Sequence, residues 1–117
     1  MNYERSLILY REAMSFYKLN NYDEALDLFY KSNKLYEHGK TYQKIAEIQC
    51  FKENLHDALL NAEMAYKLLP ITDSVCLLYA ELLVKNDEKV KSIEILESII
   101  KRNSTFKKAK LLLDNLK

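Results

Sequence analysis

One glycine and one proline, Gly39 and Pro70, are all that this chain of 117 residues contains of either type. Sheets need many turns, and turns with positive φ draw on Gly or Asn, so this scarcity argues against a β-rich fold and for long helices. A single glycine also excludes a glycine-rich phosphate loop, and no dinucleotide-binding, HExxH or GxSxG motif occurs. Cysteine is nearly as rare: Cys50 and Cys76 stand far apart, form no CxxC or zinc-ligand spacing, and fit a reducing compartment. No apolar run approaches the ~18 residues of a membrane span. The opening Met-Asn-Tyr-Glu-Arg-Ser-Leu-Ile-Leu-Tyr is too mixed for a signal peptide, so the expected location is the cytoplasm. Excess charge is missing too. A net +1 creates no field that would draw nucleic acid as the main partner.

What the chain does have is 49% hydrophobic and 30% charged residues, the balance of one soluble globular domain. A chain of this length buries roughly two-thirds of the surface it exposes when unfolded. The residues carry a period. Ala13, Ala46 and Ala80 are spaced 33 and 34 apart, and Ala25, Ala58 and Ser92 repeat the same intervals. Between the two sets of marks lies a polar turn, Lys18 to Tyr22 in the first unit. Each unit offers two apolar stripes at helical spacing, as in Ala25, Leu26, Phe29 and Leu35. Two short helices joined by such a turn pack antiparallel, and small residues let their backbones approach. One pair cannot bury both its faces, so pairs must stack.

The units resemble the tetratricopeptide repeat. Tyr22-Asp23-Glu24-Ala25 with Phe29 matches the family's turn and second helix, as do Ala58, Ala65 and Pro70 in the second unit. The third departs most, with Ser92 in place of Ala and Ser104 in place of the closing Pro; the first has Glu12 for an apolar residue and Glu37 for the Pro. The resemblance covers roughly residues 6 to 106. It implies an all-α, right-handed solenoid of three antiparallel helix pairs, with units at about 6–38, 39–72 and 73–106 in a single domain. A seventh, capping helix is expected at about 104–116, started by Asn103, Ser104 or Thr105 and burying Phe106, Ala109, Leu112, Leu113 and Leu116. An initial Met and a closing helix favour a whole protein over a slice of a longer array.

No catalytic, cofactor or metal site is expected. His38 and His56 read as surface histidines, and the cysteines as packing or groove residues without a histidine partner in the sequence. The resemblance instead implies protein binding, with the first helix of each pair lining a concave groove. On this sequence that face comprises Tyr10, Arg11, Met14, Tyr17 and Lys18, then Lys40, Gln43, Lys44, Glu47, Cys50 and Phe51, then Ser74, Leu77, Leu78, Glu81, Val84 and Lys85. These residues are expected to serve a partner while contributing little to stability. The family's chaperone-tail receptors use a clamp of Lys, Asn and Arg whose places here hold Tyr10, Met14, Lys44, Ser74 and Leu78. With Lys44 alone basic, Hsp70 and Hsp90 tails are expected not to bind.

The segment Val75 to Val84 is apolar nearly all round. Either the fold covers it, or a ligand or a second copy of the chain does. The leading reading is an adaptor or scaffold holding a peptide or helix in the groove. The others are a small chaperone shielding a client and a homo-oligomer built through the third unit. RNA binding through the basic C-terminal residues (Lys101, Arg102, Lys107, Lys108, Lys110 and Lys117) stands last, because their spacing suits the solvated side of a lid.

Overall fold

The computed structural model describes residues Met1–Lys117 and consists of seven α-helices without a strand. These are α1 (Asn2–Lys18), α2 (Tyr22–Leu35), α3 (Gly39–Phe51), α4 (Leu55–Leu68), α5 (Asp73–Lys85), α6 (Lys89–Arg102) and α7 (Lys107–Leu116). Helices pair as α1 with α2, α3 with α4 and α5 with α6; α2 meets α3, α4 meets α5, and α7 lies on α6. The stack measures 45 × 27 × 21 Å with a radius of gyration of 14.8 Å, against ~13 Å for a compact sphere-like chain of this size.

The small residues sit where the period requires. Ala13, Ala46, Ala80, Ala25, Ala58 and Ser92 are all fully buried. Two further sets keep the same intervals and are equally buried: Phe29, Ala62 and Leu96, and Ser32, Ala65 and Ile99. Serine at a crossing gives its hydroxyl to the partner helix. Ser92 donates to the Ala80 carbonyl at 2.8 Å, and Ser32 to the Ser6 carbonyl at 2.7 Å. A buried hydroxyl with an acceptor carries no desolvation penalty large enough to open the pair. Ser92 is thereby accommodated where alanine is usual.

The turns inside the pairs are built alike, without glycine. Asn20, Glu53 and Asp87 adopt φ of 62°, 60° and 60°. At each, the following amide closes a six-residue ring onto the helix just ended: Asn21 to Phe16, Asn54 to Gln49, and Glu88 to Leu83, at 2.8–2.9 Å. These are Schellman ends, with the left-handed residue just past the cap. The residue that closes each ring also starts the next helix. The carbonyls of Asn21, Asn54 and Glu88 accept from Ala25, Ala58 and Ser92.

The core falls into two clusters. The first joins Ala13, Ala25, Phe29, Ile45 and Ile48, with Tyr10, Met14, Phe16, Tyr17 and Tyr22 packed at its edge. The second holds fourteen buried residues from α3 to α7. It explains the all-round apolar character of α5. Ala58 and Ala62 of α4, Ile95, Leu96 and Ile99 of α6, and Ala109 and Leu113 of α7 share one core with Cys76, Leu77, Tyr79, Ala80, Leu82 and Leu83. The fold itself covers the third unit, which removes the argument for a second copy docking there.

Two local expectations need correction. Helix α7 starts from Phe106 with no side-chain cap. Asn103 instead donates to Asp73 at 3.2 Å and Thr105 donates to Asn103 at 3.1 Å, so these polar residues tie the linker to the start of α5. His38 is not a free surface histidine. Helix α1 begins early enough to bring Ser6 Oγ within 3.2 Å of His38 Nε2, and the ring packs against Tyr3 and Tyr36 at 5.4 and 5.0 Å. His56 is exposed.

Candidate functional site

Helices α1, α3 and α5 contribute the predicted groove residues, and Glu47 is their hub. Tyr17 donates its phenol to Glu47 Oε1 at 2.8 Å, and Lys44 Nζ donates to the same oxygen at 3.1 Å. The Lys44 ammonium also lies 4.9 Å from the centre of the Tyr17 ring, within cation–π range. Lys44 and Glu47 are one turn apart on α3, which is why they can meet. Both keep 23% of their side-chain surface exposed, so the pair is screened less than a surface pair but is still reachable.

The charge of Glu47 is felt around it. Burial, the hydrogen bond to Glu47 and its negative charge together push the Tyr17 phenol far above the ordinary tyrosine range. Burial and the same charge raise Tyr10. The Cys50 thiol is also raised, first by burial and then by Glu81 and Glu47 against the opposing pull of Lys85. A thiol held protonated is a poor nucleophile, which fits a packing role. Burial on one side lifts the Glu81 carboxyl while Lys85 and Lys108 oppose it. Lys108 belongs to α7, so the closing helix brings a cation to this end of the face.

The remaining predicted residues divide. Tyr10 packs against Phe29 with ring centres 5.6 Å apart, and Met14 lies against the same cluster. Arg11 is exposed and forms no ion pair. Gln43 is nearly buried and donates to Ser74 Oγ at 3.2 Å, bridging α3 to α5. Phe51 is 56% exposed and stacks on Tyr22 at 5.0 Å, and Tyr22 in turn meets Tyr17 at 5.8 Å. Leu77 is turned into the second core, and Leu78 is half-buried against it. Leu77 is therefore a core residue. Tyr10, Tyr17 and Glu47 also bridge α1, α2 and α3, so substitutions there are expected to touch stability as well as binding.

Sequence reasoning missed Tyr22 and Lys108 as members of this surface. Tyr22 was legible only as part of the turn motif, and Lys108 only as the wet side of a lid. The basic C-terminal residues are partly engaged elsewhere: Arg102 pairs with Asp73 at 3.2 Å and Lys117 with Glu97 at 3.1 Å.

No protein-family model and no curated protein matches the chain. Solved structures do. The first tetratricopeptide domain of Spaghetti (RPAP3), bound to the HSP90 peptide SRMEEVD, superposes with a TM-score of 0.87 at 14% identity, over 97% of this chain and 90% of that one. The Yersinia enterocolitica type III secretion chaperone SycD, in complex with a peptide of the translocator YopD, gives 0.84 at 12% identity over 97% and 92%. The TPR2B domain of yeast Sti1, in complex with pHsp70, gives 0.74 at 14% identity over 99% and 93%. These findings overturn the exclusion of Hsp70 and Hsp90 tails, because domains of this shape are found with such peptides. That exclusion weighed the residues at five places only. The folded chain also sets Lys85 and Lys108 beside Glu81, and the exposed Lys40 at the start of α3, none of which the five places include. All three likenesses lie far below the identity at which a binding specificity carries over, and what they establish is the architecture: this chain has the tetratricopeptide fold, three stacked helix pairs closed by a seventh helix.

Proposed function

We propose that the chain is a protein-interaction module that holds a peptide or helical segment of a partner against the face lined by α1, α3 and α5. The observation that carries this reading is the Tyr17–Glu47–Lys44 group. It is a preorganised, half-buried set of one aromatic ring and both signs of charge, at the centre of a surface flanked by Tyr10, Met14 and Phe51. Aromatic and methionine side chains provide adaptable contact area, and fixed charges select orientation. Peptides ending in the SRMEEVD sequence of the HSP90-bound relative are the first ligands to try. The module acts without catalysis, as an adaptor or scaffold in the cytoplasm. No helix is long and apolar enough to cross a membrane, and no group of three or more His, Cys, Asp or Glu could hold a metal ion. Residues 1–117 act as one domain in this reading.

A second reading, a small chaperone that shields a client, is favoured by the likeness to the secretion chaperone SycD with its translocator peptide. The two readings separate on co-expression, where a chaperone raises client solubility and an adaptor does not.

The test of the groove is capture of partners by the immobilised chain beside a Lys44→Glu/Glu47→Lys variant. That variant keeps opposite charges one turn apart but reverses the field a ligand meets. Because it also removes the acceptor of the Tyr17 phenol, its melting temperature is measured alongside and capture is compared between folded proteins. Capture lost by the variant and competed by the EEVD-ending peptide supports the reading. Equal capture by both proteins overturns it.

A further inference from the structure

A cavity of about 240 Å³ opens at the start of α3, walled by Leu7, Tyr10, His38, Gly39, Lys40, Thr41 and Leu69. It is one-sided in chemistry. Leu7, Tyr10 and Leu69 give apolar walls, while the start of α3 gives free amides. The amides of Gly39 and Lys40 find no acceptor within the chain, no side chain caps this helix, and its first turn holds no carboxylate. The adjoining Thr41 is fully buried, and its hydroxyl is one of two buried side-chain polar atoms in the molecule without a hydrogen-bond partner. The neighbouring polar groups are already engaged: His38 Nε2 with Ser6, the His38 amide with Asn33, and Glu37 with the Tyr42 phenol. The Lys40 ammonium forms no ion pair and is exposed at the rim. Gly39 is required for this shape, because a Cβ there would sit 2.5 Å from Leu69 Cγ.

We propose that this cavity is a carboxylate pocket that receives an acid group carried beside an apolar one. The free amides at the helix start and the positive end of the helix dipole favour an anion. The Thr41 hydroxyl supplies a third donor, Lys40 closes the site, and Leu7 and Leu69 hold the apolar part. The pocket adjoins the groove through Tyr10. In the full assembly it takes one acid group of the segment bound there, and in that respect it rests on the reading above.

The test uses small probes and no partner. Amide NMR shifts are followed during titration with N-acetyl-leucine, which offers a terminal carboxylate, and with N-acetyl-glutamate α-amide, which offers a side-chain one. Neutral N-acetyl-leucine amide is the control. Saturable shifts at Gly39, Lys40 and Thr41 with at least one acid, about tenfold weaker with the neutral amide, are expected, since a charge-assisted hydrogen bond is worth about that factor. The tighter acid identifies the source of the carboxylate. Thr41→Val, which keeps the shape, should weaken the acid about tenfold without lowering the melting temperature, and Lys40→Gln should weaken it less. Equal binding of acid and amide, shifts confined to Tyr17 and Glu47, or unchanged affinity in Thr41→Val overturns the proposal. An acid-specific response at Gly39, Lys40 and Thr41 alongside a failed groove test would uphold the pocket while the groove reading falls, since the probes bind without any partner.

Discussion

Around the first helix pair the core is small and aromatic, with five buried residues sealed by Tyr10, Tyr17 and Tyr22. Around α5 it is aliphatic, fourteen residues deep and roofed by α7. The aromatic rings of the first region have two duties. Tyr10 and Tyr17 lean on Phe29 at 5.6 and 6.5 Å and also line the proposed binding face. The second region keeps its duties apart, since Leu77, Tyr79 and Leu83 are withdrawn from the surface that Glu81 helps to form. If the proposed face binds a partner, stability and recognition are joined near the N-terminus and separable near the C-terminus.

The hardest blow to both regions is Ala58→Arg, which forces bulk and charge into a crossing of the second core. It is expected to abolish the cooperative thermal transition seen by circular dichroism. Next comes a matched pair at equivalent places. Phe29→Ala should cost about 3–5 kcal/mol and Leu96→Ala about 2–5 kcal/mol by denaturant unfolding. The comparison predicts that the first also weakens partner binding and speeds hydrogen exchange in α1 and α2, while the second leaves binding by the folded fraction intact. Equal effects on binding would erase the difference between the two regions.

A smaller effect is expected in the turns. Glu53 has a side chain in the left-handed region at φ 60°, so Glu53→Gly should raise stability by about 0.5–1 kcal/mol, read as a higher denaturation midpoint. The smallest and most selective is a pH effect. The folded-state pKa of Tyr17 lies above its unfolded value near 10, so the folded state holds its phenolic proton longer than the unfolded chain does. Stability is fully present below pH 10 and falls as pH rises beyond it. Tyr17→Phe should flatten part of that fall. Tyr42, pushed up to about 12 by burial and by its hydrogen bond to Glu37, contributes to the remainder over the window from 10 to 12.

Much of the architecture was legible because close helix crossings demand small residues at a fixed interval, and Ala13, Ala46 and Ala80 cannot be read otherwise. The turn conformations were not, because Glu53 and Asp87 occupy positions where glycine would have announced a positive φ. That Tyr17, Lys44 and Glu47 share a side was legible only through the resemblance to the tetratricopeptide repeat. Their mutual bonding was not, since it depends on side-chain directions across two helices 30 residues apart in sequence. Leu77 was misjudged because phase alone does not reveal how far α6 and α7 wrap α5. The exclusion of Hsp tails rested on five places in the repeats, and the likeness to domains solved with such peptides overturned it.

The doubled role of Asn21, Asn54 and Glu88 constrains how such a chain can change length. Each ends one rod and begins the next, so an extra residue there has nowhere to loop out. Adding one would turn the following rod by about 100° and swing its apolar stripe out to water. Deletions would do the same in the opposite sense. Gains and losses inside a hairpin are therefore quantised to whole pairs, and the one residue by which the second repeat interval exceeds the first falls between pairs, where the linker grows from residues 36–38 to residues 69–72.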